Sequence, residues 1–412
     1  MSRLEELIDE LCPNGVEYKS LGELGFFFGG LSGKSKDDFN NGNAKFITYM
    51  NVFSNLELKL DVMDTVKISS NEKQNTLQYG DVIFTGSSET PDACGMSSVL
   101  TIKSDEELYL NSFSFIFRFS DKNLYLAEFS KYVFRSAELR KQIKRTASGV
   151  TRFNVSKEKM KKVMIPLPPI KVQREIVRIL DNFTELTAEL TAELTARKKQ
   201  YEYYRTQLLV CNVSKVKLRM VIKNRCSGAT PTKGKSEYYE NGTIPWLRTQ
   251  DVKFNEIREV NSFITEEAVK KTAVKWIPAN CVIVAISGAT AGRCAINKFE
   301  TTTNQHCLNL EIDSSKALYK YVFYCVSNQY EELLSKKQGA RGDLNSTLVL
   351  DMKIPLPSLE KQKYITDILE RFDSLCNDIS EGLPAEIEAR RKQYEHYRDK
   401  LLTFKEINSD EN

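Results

Sequence analysis

The sequence has no long apolar run: none of its 412 residues fall in a stretch approaching the roughly 20 apolar residues a helix needs to cross a bilayer. A chain that crosses a membrane by helices is therefore not expected, nor is a membrane among its partners. The start, Met1-Ser2-Arg3-Leu4-Glu5-Glu6-Leu7-Ile8-Asp9-Glu10, mixes charged and apolar residues at helical spacing and lacks the apolar segment of a secretory signal. Histidine is nearly missing. His306 and His396 stand far apart, too few for a histidine-based metal centre or a Ser-His-Asp triad. The nine cysteines are odd in number, scattered and never spaced C-x-x-C. That argues against a zinc site or a disulfide framework and for reduced thiols in a cytoplasm. One-sided charge is lacking too: 59 basic against 55 acidic residues leave +4, so a polyanionic partner would have to be met by local clusters.

Catalytic signatures are equally thin. Gly29-Gly30-Leu31-Ser32-Gly33-Lys34-Ser35 approximates a phosphate-binding loop, but Phe28 stands where the first glycine of G-x-x-x-x-G-K-[ST] belongs. No clear strand and helix flank it in the pattern. Gly86-Ser87 and Ser287-Gly288 follow strand-like runs without completing a G-x-S-x-G elbow. There is no (D/N)-P-P-(Y/F) run with a Gly-rich cofactor turn, as an adenine methyltransferase would need, and no paired carboxylates stand out from helix-surface glutamates.

What is present is a soluble globular composition, 41% hydrophobic and 28% charged, at a length that suggests two to three domains. It is also a duplication. Ile165-Pro166-Leu167-Pro168 recurs as Ile354-Pro355-Leu356-Pro357, an offset of 354 − 165 = 189. The same offset pairs Gln173 with Gln362, Ile176 with Ile365, Leu180 with Leu369 and Phe183 with Phe372. Ala196-Arg197-Lys198-Lys199-Gln200-Tyr201-Glu202 matches Ala389-Arg390-Arg391-Lys392-Gln393-Tyr394-Glu395 at 193. Tyr204-Arg205 pairs with Tyr397-Arg398 and Leu208-Leu209 with Leu401-Leu402. Asn41-Gly42 echoes Asn241-Gly242, and Gly80-Asp81-Val82-Ile83 echoes Asn280-Cys281-Val282-Ile283, both at 200. The ordered set makes two related halves, alike in their helices and divergent in their globular parts.

Each globular part carries short apolar runs broken by Gly, Asn and Asp, and these predict strands: 46–50, 81–84, 113–119 and 282–286. Segments 126–146 and 316–337 have helical periodicity, so each domain mixes α and β. Proline at 166, 168, 169, 355 and 357 marks a boundary, and a long amphipathic stretch follows each time. Ile176, Leu180, Phe183, Leu186, Leu190, Leu194, Tyr201, Tyr204 and Leu208 form one stripe; Ile365, Leu369, Phe372, Ile379, Ile387, Tyr394, Tyr397 and Leu401 form the other. Stripes this long and this alike favour an antiparallel helix pair between two domains over helices packed on their own domains. Gly382-Leu383-Pro384 should kink or break the second.

Inside the first stretch Thr187-Ala188-Glu189-Leu190 repeats as Thr191-Ala192-Glu193-Leu194. One four-residue unit adds about 6 Å of rise and about 40° of residual rotation to a helix. One base pair of B-DNA adds about 3.4 Å and roughly 36°. A unit inserted between two DNA-reading domains would re-phase them by about one base pair.

This pattern resembles the specificity (S) subunit of type I restriction–modification systems over essentially the whole chain: two variable domains, helices with a Pro-rich entry and an Arg-Lys-Lys-Gln-Tyr exit, and Thr-Ala-Glu-Leu units between them. Gly228-Ala229-Thr230-Pro231 leading to Gly242-Thr243-Ile244-Pro245-Trp246-Leu247 resembles the opening of a family target-recognition domain. The first domain departs from it, with Gly30-Leu31-Ser32-Gly33 and Phe46-Ile47-Thr48-Tyr49 in those places.

The resemblance implies an α+β architecture with a pseudo-twofold internal repeat, in which two mixed α/β target-recognition domains are separated by two long antiparallel helices forming a coiled-coil-like spacer. Its parts would be an N-terminal segment at 1–19 packing with the C-terminal helix, recognition domains at 20–169 and 214–358, a central spacer helix at 170–213 and a C-terminal spacer helix at 359–412. The 1–11 segment would complete circularly what 205–217 supplies between the domains. Each domain would read one half of a split, asymmetric site in double-stranded DNA. The helices would set the gap and dock two adenine-N6 methyltransferase (M) subunits, with motor-nuclease (R) subunits joining for restriction. S-adenosylmethionine, ATP and Mg would sit on those partners, leaving this chain without cofactor, metal or catalytic residue, in the cytoplasm.

On that premise, phosphate and base contacts should come from Lys, Arg, Asn, Gln and hydroxyl side chains in loops. Two Gly-containing basic segments stand in corresponding places: Lys141, Lys144, Arg145, Ser148, Thr151, Arg152 and Asn154 in the first half; Lys337, Gln338, Arg341 and Asn345 in the second. Earlier candidates are Lys34, Lys36, Thr48, Tyr49 and Asn51, with Thr232, Lys233, Lys235, Arg248, Thr249, Gln250 and Arg293 in the second half. Leu186, Leu190, Leu194, Tyr201, Tyr204, Ile379, Ile387, Tyr394 and Tyr397 are the spacer or partner-docking set. Two rival readings remain open at this point: a coiled-coil scaffold that binds proteins alone, and a self-sufficient methyltransferase.

Overall fold

The computed structural model describes residues 3–61, 63–210, 213–336, 343–378 and 381–407. The chain folds into two compact units, Met1–Leu190 with Ile387–Asn412, and Thr191–Glu386. The division falls between the two Thr-Ala-Glu-Leu units of one uninterrupted helix, Ile170–Leu209.

In the first unit, strands Gly25–Gly29, Ser114–Phe119, Val82–Thr85 and Ser97–Val99 form an antiparallel sheet in that order. Its apolar runs do not alternate with polar residues because both faces are covered. Phe84, Phe115 and Phe117 enter one core with the helices, while Ile83 and Ile116 enter a second core with Ile47 and Leu110. A smaller sheet runs Thr65–Val66, Ala44–Ile47 and Leu108–Leu110, the last two parallel. The second unit repeats the plan. Ile222–Ser227, Cys307–Ile312, Val282–Ala285 and Cys294–Asn297 make the main sheet with a fifth, parallel edge strand, Glu256–Ile257, and Ile244–Leu247 lies parallel to Thr301–Thr303 beside it. Val282 and Val284 face the helices there, Ile283 and Ala285 the other core.

Matched hydrogen bonds tie each domain to the helix that follows it. Gln173 is fully buried; its Oε1 accepts the Leu126 N–H at 2.9 Å and its Nε2 donates to the Pro168 carbonyl at 2.8 Å. Gln362 does the same with Leu318 at 2.9 Å and Pro357 at 2.9 Å. A buried amide left without partners would cost on the order of 1–3 kcal/mol, which accounts for glutamine at both positions. Tyr125 and Tyr321 each donate to a proline carbonyl, Pro166 and Pro355, at 3.1 Å. Asn41 and Asn241 both adopt positive φ, 52° and 54°, and a Cβ on Gly42 or Gly242 would run into the backbone of Val66 or Ile264. Gly80 and Asn280 share a left-handed turn, φ 87° and 67°, before the central strand.

Two local expectations need correction, and a third is borne out with a break in each segment. The strand expected over 46–50 ends at Ile47, because Thr48 caps the helix Tyr49–Ser54 by accepting the Asn51 N–H at 3.3 Å. The periodic segments are each two helices, Ala127–Val133 with Ala137–Lys144, and Tyr319–Asn328 with Tyr330–Ser335. A strand does lead into the glycine loop, since Gly25–Gly29 ends there, but the loop runs on into a 3-10 turn, Lys36–Phe39. Lys34 is spent on Glu72, at 2.5 Å, and on the Lys67 carbonyl, at 2.6 Å, so the loop offers no free lysine to a phosphate.

The C-terminal run breaks where its sequence says it should, into Leu359–Asn377 and Leu383–Leu401. A Cβ on Gly382 would press on the carbonyl oxygens of Ser374 and Asp378, at 2.6 and 2.7 Å, and Pro384 sits in the first turn, where its missing N–H is harmless. At the other end of the chain, helix Arg3–Leu11 buries Leu4 in the first unit's core, which also holds Leu402. Backbone bonds from Val16 to Lys405 (2.8 Å) and from Ile407 to Val16 (3.1 Å) join the two ends of the chain. No described helix is long and apolar enough to cross a membrane.

Candidate nucleic-acid interface

In the first unit the basic segment is built as a helix end followed by a hairpin. Helix Ala137–Lys144 leads into strands Ala147–Gly149 and Phe153–Val155, which pair Ser148 with Asn154. Gly149, at φ +153°, sits where a Cβ would strike the Arg152 carbonyl and so makes the turn possible. The hairpin is anchored at its base: Asn154 pairs with Ser87 and Phe153 with Ser88, and the Val155 N–H donates to the Gly86 carbonyl at 2.9 Å. Arg152 donates to Ser87 Oγ from Nε (3.1 Å) and Nη2 (2.9 Å), and its guanidinium lies 5.5 Å over the Phe113 ring. Tyr49 Oη donates to the Ser87 carbonyl at 2.9 Å. Tyr49, Arg152 and Asn154, separated by about a hundred residues of sequence, thus meet around Ser87. Ser148, Thr151, Arg152 and Asn154 are exposed.

The other candidates of this unit divide by what holds them. Lys141, Arg145 and Lys36 are exposed. Lys144 pairs with Asp92 at 2.5 Å, and its hydrogen bond holds the Asp92 carboxyl below the usual range. Thr48 is a helix cap, and Asn51 braces the 51–59 loop through Lys59 and Asn55. Arg140 is buried against the carbonyls of Cys94 and Asp92 at 2.7 and 3.0 Å, a structural cation. Segment 136–162 holds nine Lys/Arg and two Glu, 9 − 2 = +7, more than the net charge of the whole chain. The rest of the chain taken together is therefore net acidic, and this hairpin lies within one of the chain's basic segments.

In the second unit the counterpart turn is only partly described. Lys337, Gln338 and Arg341 lie outside the described residues. Where description resumes, the Leu344 N–H donates to the Ile286 carbonyl at 2.8 Å, as Val155 does to Gly86, and Ser287 bonds the Asp343 carboxylate where Ser87 pairs with Asn154. Asn345 caps the helix Ser346–Leu350 by accepting from the Thr347 N–H at 2.8 Å. Arg248 lies 5.8 Å over Trp246, its Nε buried without a hydrogen-bond partner among the described residues. Thr249 and Gln250 follow in the turn Thr249–Asp251. Thr232 and Lys233 are exposed, and Lys235 lies 5.1 Å over Tyr238, which with Glu237 raises its pKa. Arg293 is half-buried at the end of its loop.

Several residues at these surfaces escaped the sequence reading. Phe113 and His306 occupy one place in the two units: their carbonyls accept from Gly86 at 2.7 Å and Ile286 at 2.9 Å. Gln305 beside His306 bonds Thr230. The signal was there as Asn111 and Asn304, two residues upstream of Phe113 and His306, whose N–H groups donate to Ile47 and Leu247 at 3.0 Å. Segment 215–235 carries seven Lys/Arg and no acid; Lys217 and Arg219 meet Asp351, Lys223 meets Glu311, and Arg225 stays exposed.

The spacer residues pack mostly within their own units. Tyr394 lies 6.4 Å from Tyr132, and Tyr201 lies 6.2 Å from Phe372; burial pushes both phenols up to about 12. Tyr204 and Tyr397 stack on Phe372 and Phe183. Leu190, Leu194 and Ile387 are half-buried, Leu186 is exposed, and Ile379 lies outside the described residues. Among the described residues no His, Cys, Asp or Glu cluster is arranged to hold a metal ion.

The architecture is a duplicated α/β domain joined by a long helix, and comparison with known proteins assigns it to a family. The family described as type I restriction modification DNA specificity domain matches residues 13–197 and 212–389. The chain belongs to that family and carries the domain twice. It is 39% identical over 263 residues to the type I restriction enzyme EcoR124I/EcoR124II specificity subunit of Escherichia coli, a stretch that spans 61% of this chain and 65% of that protein. Among solved structures, a chain of a type I R-M system is similar at 17% identity with a TM-score of 0.67, covering 95% of this chain and 98% of its own. The HsdS subunit from Thermoanaerobacter tengcongensis is similar at 15% identity with a TM-score of 0.55, covering 95% and 96%. At these identities the two structures speak for the fold.

Proposed function

We propose that the chain is the DNA-sequence-specificity subunit of a type I restriction–modification complex. In this reading each unit reads one half of a split, asymmetric site in double-stranded DNA, and the helices set the gap and dock two adenine-N6 methyltransferase subunits, with motor-nuclease subunits joining for restriction. S-adenosylmethionine, ATP and Mg belong to those partners, the chain itself performs no catalytic step, and the complex works in the cytoplasm. The domain limits are those of the sequence: recognition domains at 20–169 and 214–358, spacers at 170–213 and 359–412, and the 1–19 segment beside the C-terminal helix.

One observation carries this reading. The interior is duplicated down to single hydrogen bonds, as at Gln173 and Gln362, while the surface beside the central strand is not: Phe113 stands in one unit where His306 stands in the other. Equal scaffolds with unequal surfaces suit two identical partner subunits and two different half-sites. Mapping N6-methyladenine in cells that carry the system tests it. A split motif is expected, and deleting Thr191–Leu194 should shorten its gap with both half-sites unchanged. Methylation without a split motif, or altered half-sites in the deletion, contradicts the reading.

A further inference from the structure

Val150 is 90% exposed. It occupies the tip of the 147–155 hairpin, between Gly149 and Thr151, and lies outside every core cluster of the first unit. A lone exposed valine on a protein surface needs no explanation. This one stands at the end of a ribbon whose exposed side chains, Ser148, Thr151, Arg152 and Asn154, are otherwise polar or basic. Ser148 and Asn154 are cross-strand partners, so their side chains share one face two to four residues behind the tip. Arg152 is pinned on Ser87 and over Phe113. The +7 segment surrounds the whole.

The ribbon is also held still. Its second strand is paired along Ser87–Ser88 and tied to Gly86, so the tip is presented by a braced two-stranded element. A two-stranded ribbon has the width that the major groove of B-DNA admits, and the one apolar group on the base edges there is the 5-methyl of thymine. An apolar residue at the leading point of such a ribbon, with hydrogen-bonding side chains behind it, has one complementary feature to meet.

Resting on the DNA reading above, we infer that Val150 selects a thymine in the half-site of the first unit by contact with its 5-methyl group, with Arg152, held by Ser87 and Phe113, beside it in the groove. Val150 is then a specificity-determining residue. Its side chain adds nothing to the core, so replacing it should leave the melting temperature and the assembled complex unchanged.

The test uses the full chain assembled with its methyltransferase partner, and duplexes carrying the motif found methylated in cells. Each thymine in turn is replaced by deoxyuridine, which removes only the methyl. At one position in one half-site, wild-type binding should weaken roughly fourfold, the effect of one buried methyl group. The Val150→Ala complex should bind the unmodified duplex more weakly by a similar factor, be indifferent to uracil at that position, and respond like wild type everywhere else. The inference is overturned if no thymine couples to residue 150, or if the half-site has no thymine. It is equally overturned if Val150→Ala impairs assembly while the uracil profile stays unchanged, which would make the tip a protein contact. A wild-type complex that fails to distinguish the motif from a scrambled duplex would instead sink the DNA reading itself, and this inference with it.

Discussion

Phe183 stacks on Tyr397 in the first unit, ring centroids 5.4 Å apart and planes 22° from parallel; in the second, Phe372 stacks on Tyr204 at 5.8 Å and 27°. The phenylalanines are 189 residues apart and the tyrosines 193. In each unit the ring that follows the domain meets a ring from the other helical run, so each unit is closed by a segment distant in sequence. The first unit takes its tyrosine from near the C-terminus, the second from the end of the central helix. Offset aromatic stacking is worth about 0.5–1.5 kcal/mol beyond the area it buries.

A double-mutant cycle of Phe183→Leu and Tyr397→Leu should therefore show a coupling energy of about 1 kcal/mol in urea unfolding. The Phe372→Leu and Tyr204→Leu cycle should give a similar value. Coupling near zero in both would mean that the rings are neighbours without a mutual contribution.

Gly42→Ala should destabilise the first unit by about 1–3 kcal/mol, because the added Cβ has only the Val66 backbone to occupy. Asn41→Ala should cost about 1 kcal/mol, for its positive φ alone. Thermal melts that rank the two in the reverse order would contradict this packing.

Burial raises the thiol pKa of Cys281 to about 12, and burial likewise raises those of Cys294 and Cys307. Their thiolate fraction at pH 8 is small, so alkylation of the native chain should label half-buried Cys226 well before these three. The linkage has a definite sign. The folded thiols stay protonated where unfolded ones ionise, so their contribution to stability is full below about pH 8.5 and declines as pH rises above it. Urea midpoints that rise between pH 8 and pH 10 would contradict it.

Lys141→Ala and Arg145→Ala should each weaken DNA binding about equally for all sequences, and reduce the slope of log affinity against log salt by about one. Lys144→Ala should change it less, because Asp92 already holds that ammonium. Arg152→Ala should cost about 1–3 kcal/mol and act on the first half-site alone. Gel shifts across a salt series check all of these; an Arg152→Ala effect equal on every sequence would reduce that arginine to a phosphate contact.

Much of the scaffold was legible in the chain. Gln173 and Gln362, Asn41-Gly42 and Asn241-Gly242, and Gly80 with Asn280 were visible as an ordered repeat, because buried amides and left-handed turns tolerate few substitutes. The break at Gly382-Leu383-Pro384 was legible because glycine and proline act on the helix backbone locally. Less of the interface could be read. Lys34 and Lys144 have the composition of contacts, yet they are neutralised by Glu72 and Asp92, far from them in sequence. Phe113 and Ser87 carry no motif and matter because Arg152 lands on them.

By itself the sequence determined the duplication, the mixed α/β class, the long central helix and the broken second one. These follow from periodicity, proline and glycine, which act over a few residues and survive in any context. Only the tertiary structure decided which cations are free, which are spent in ion pairs, and which side chains converge on Ser87. Those outcomes depend on pairings across tens to hundreds of residues, and a chain written in one dimension does not display them. The hairpin 147–155 shows both sides of this. Its basic, Gly-containing character was legible in the chain; its apolar point and its bracing were not.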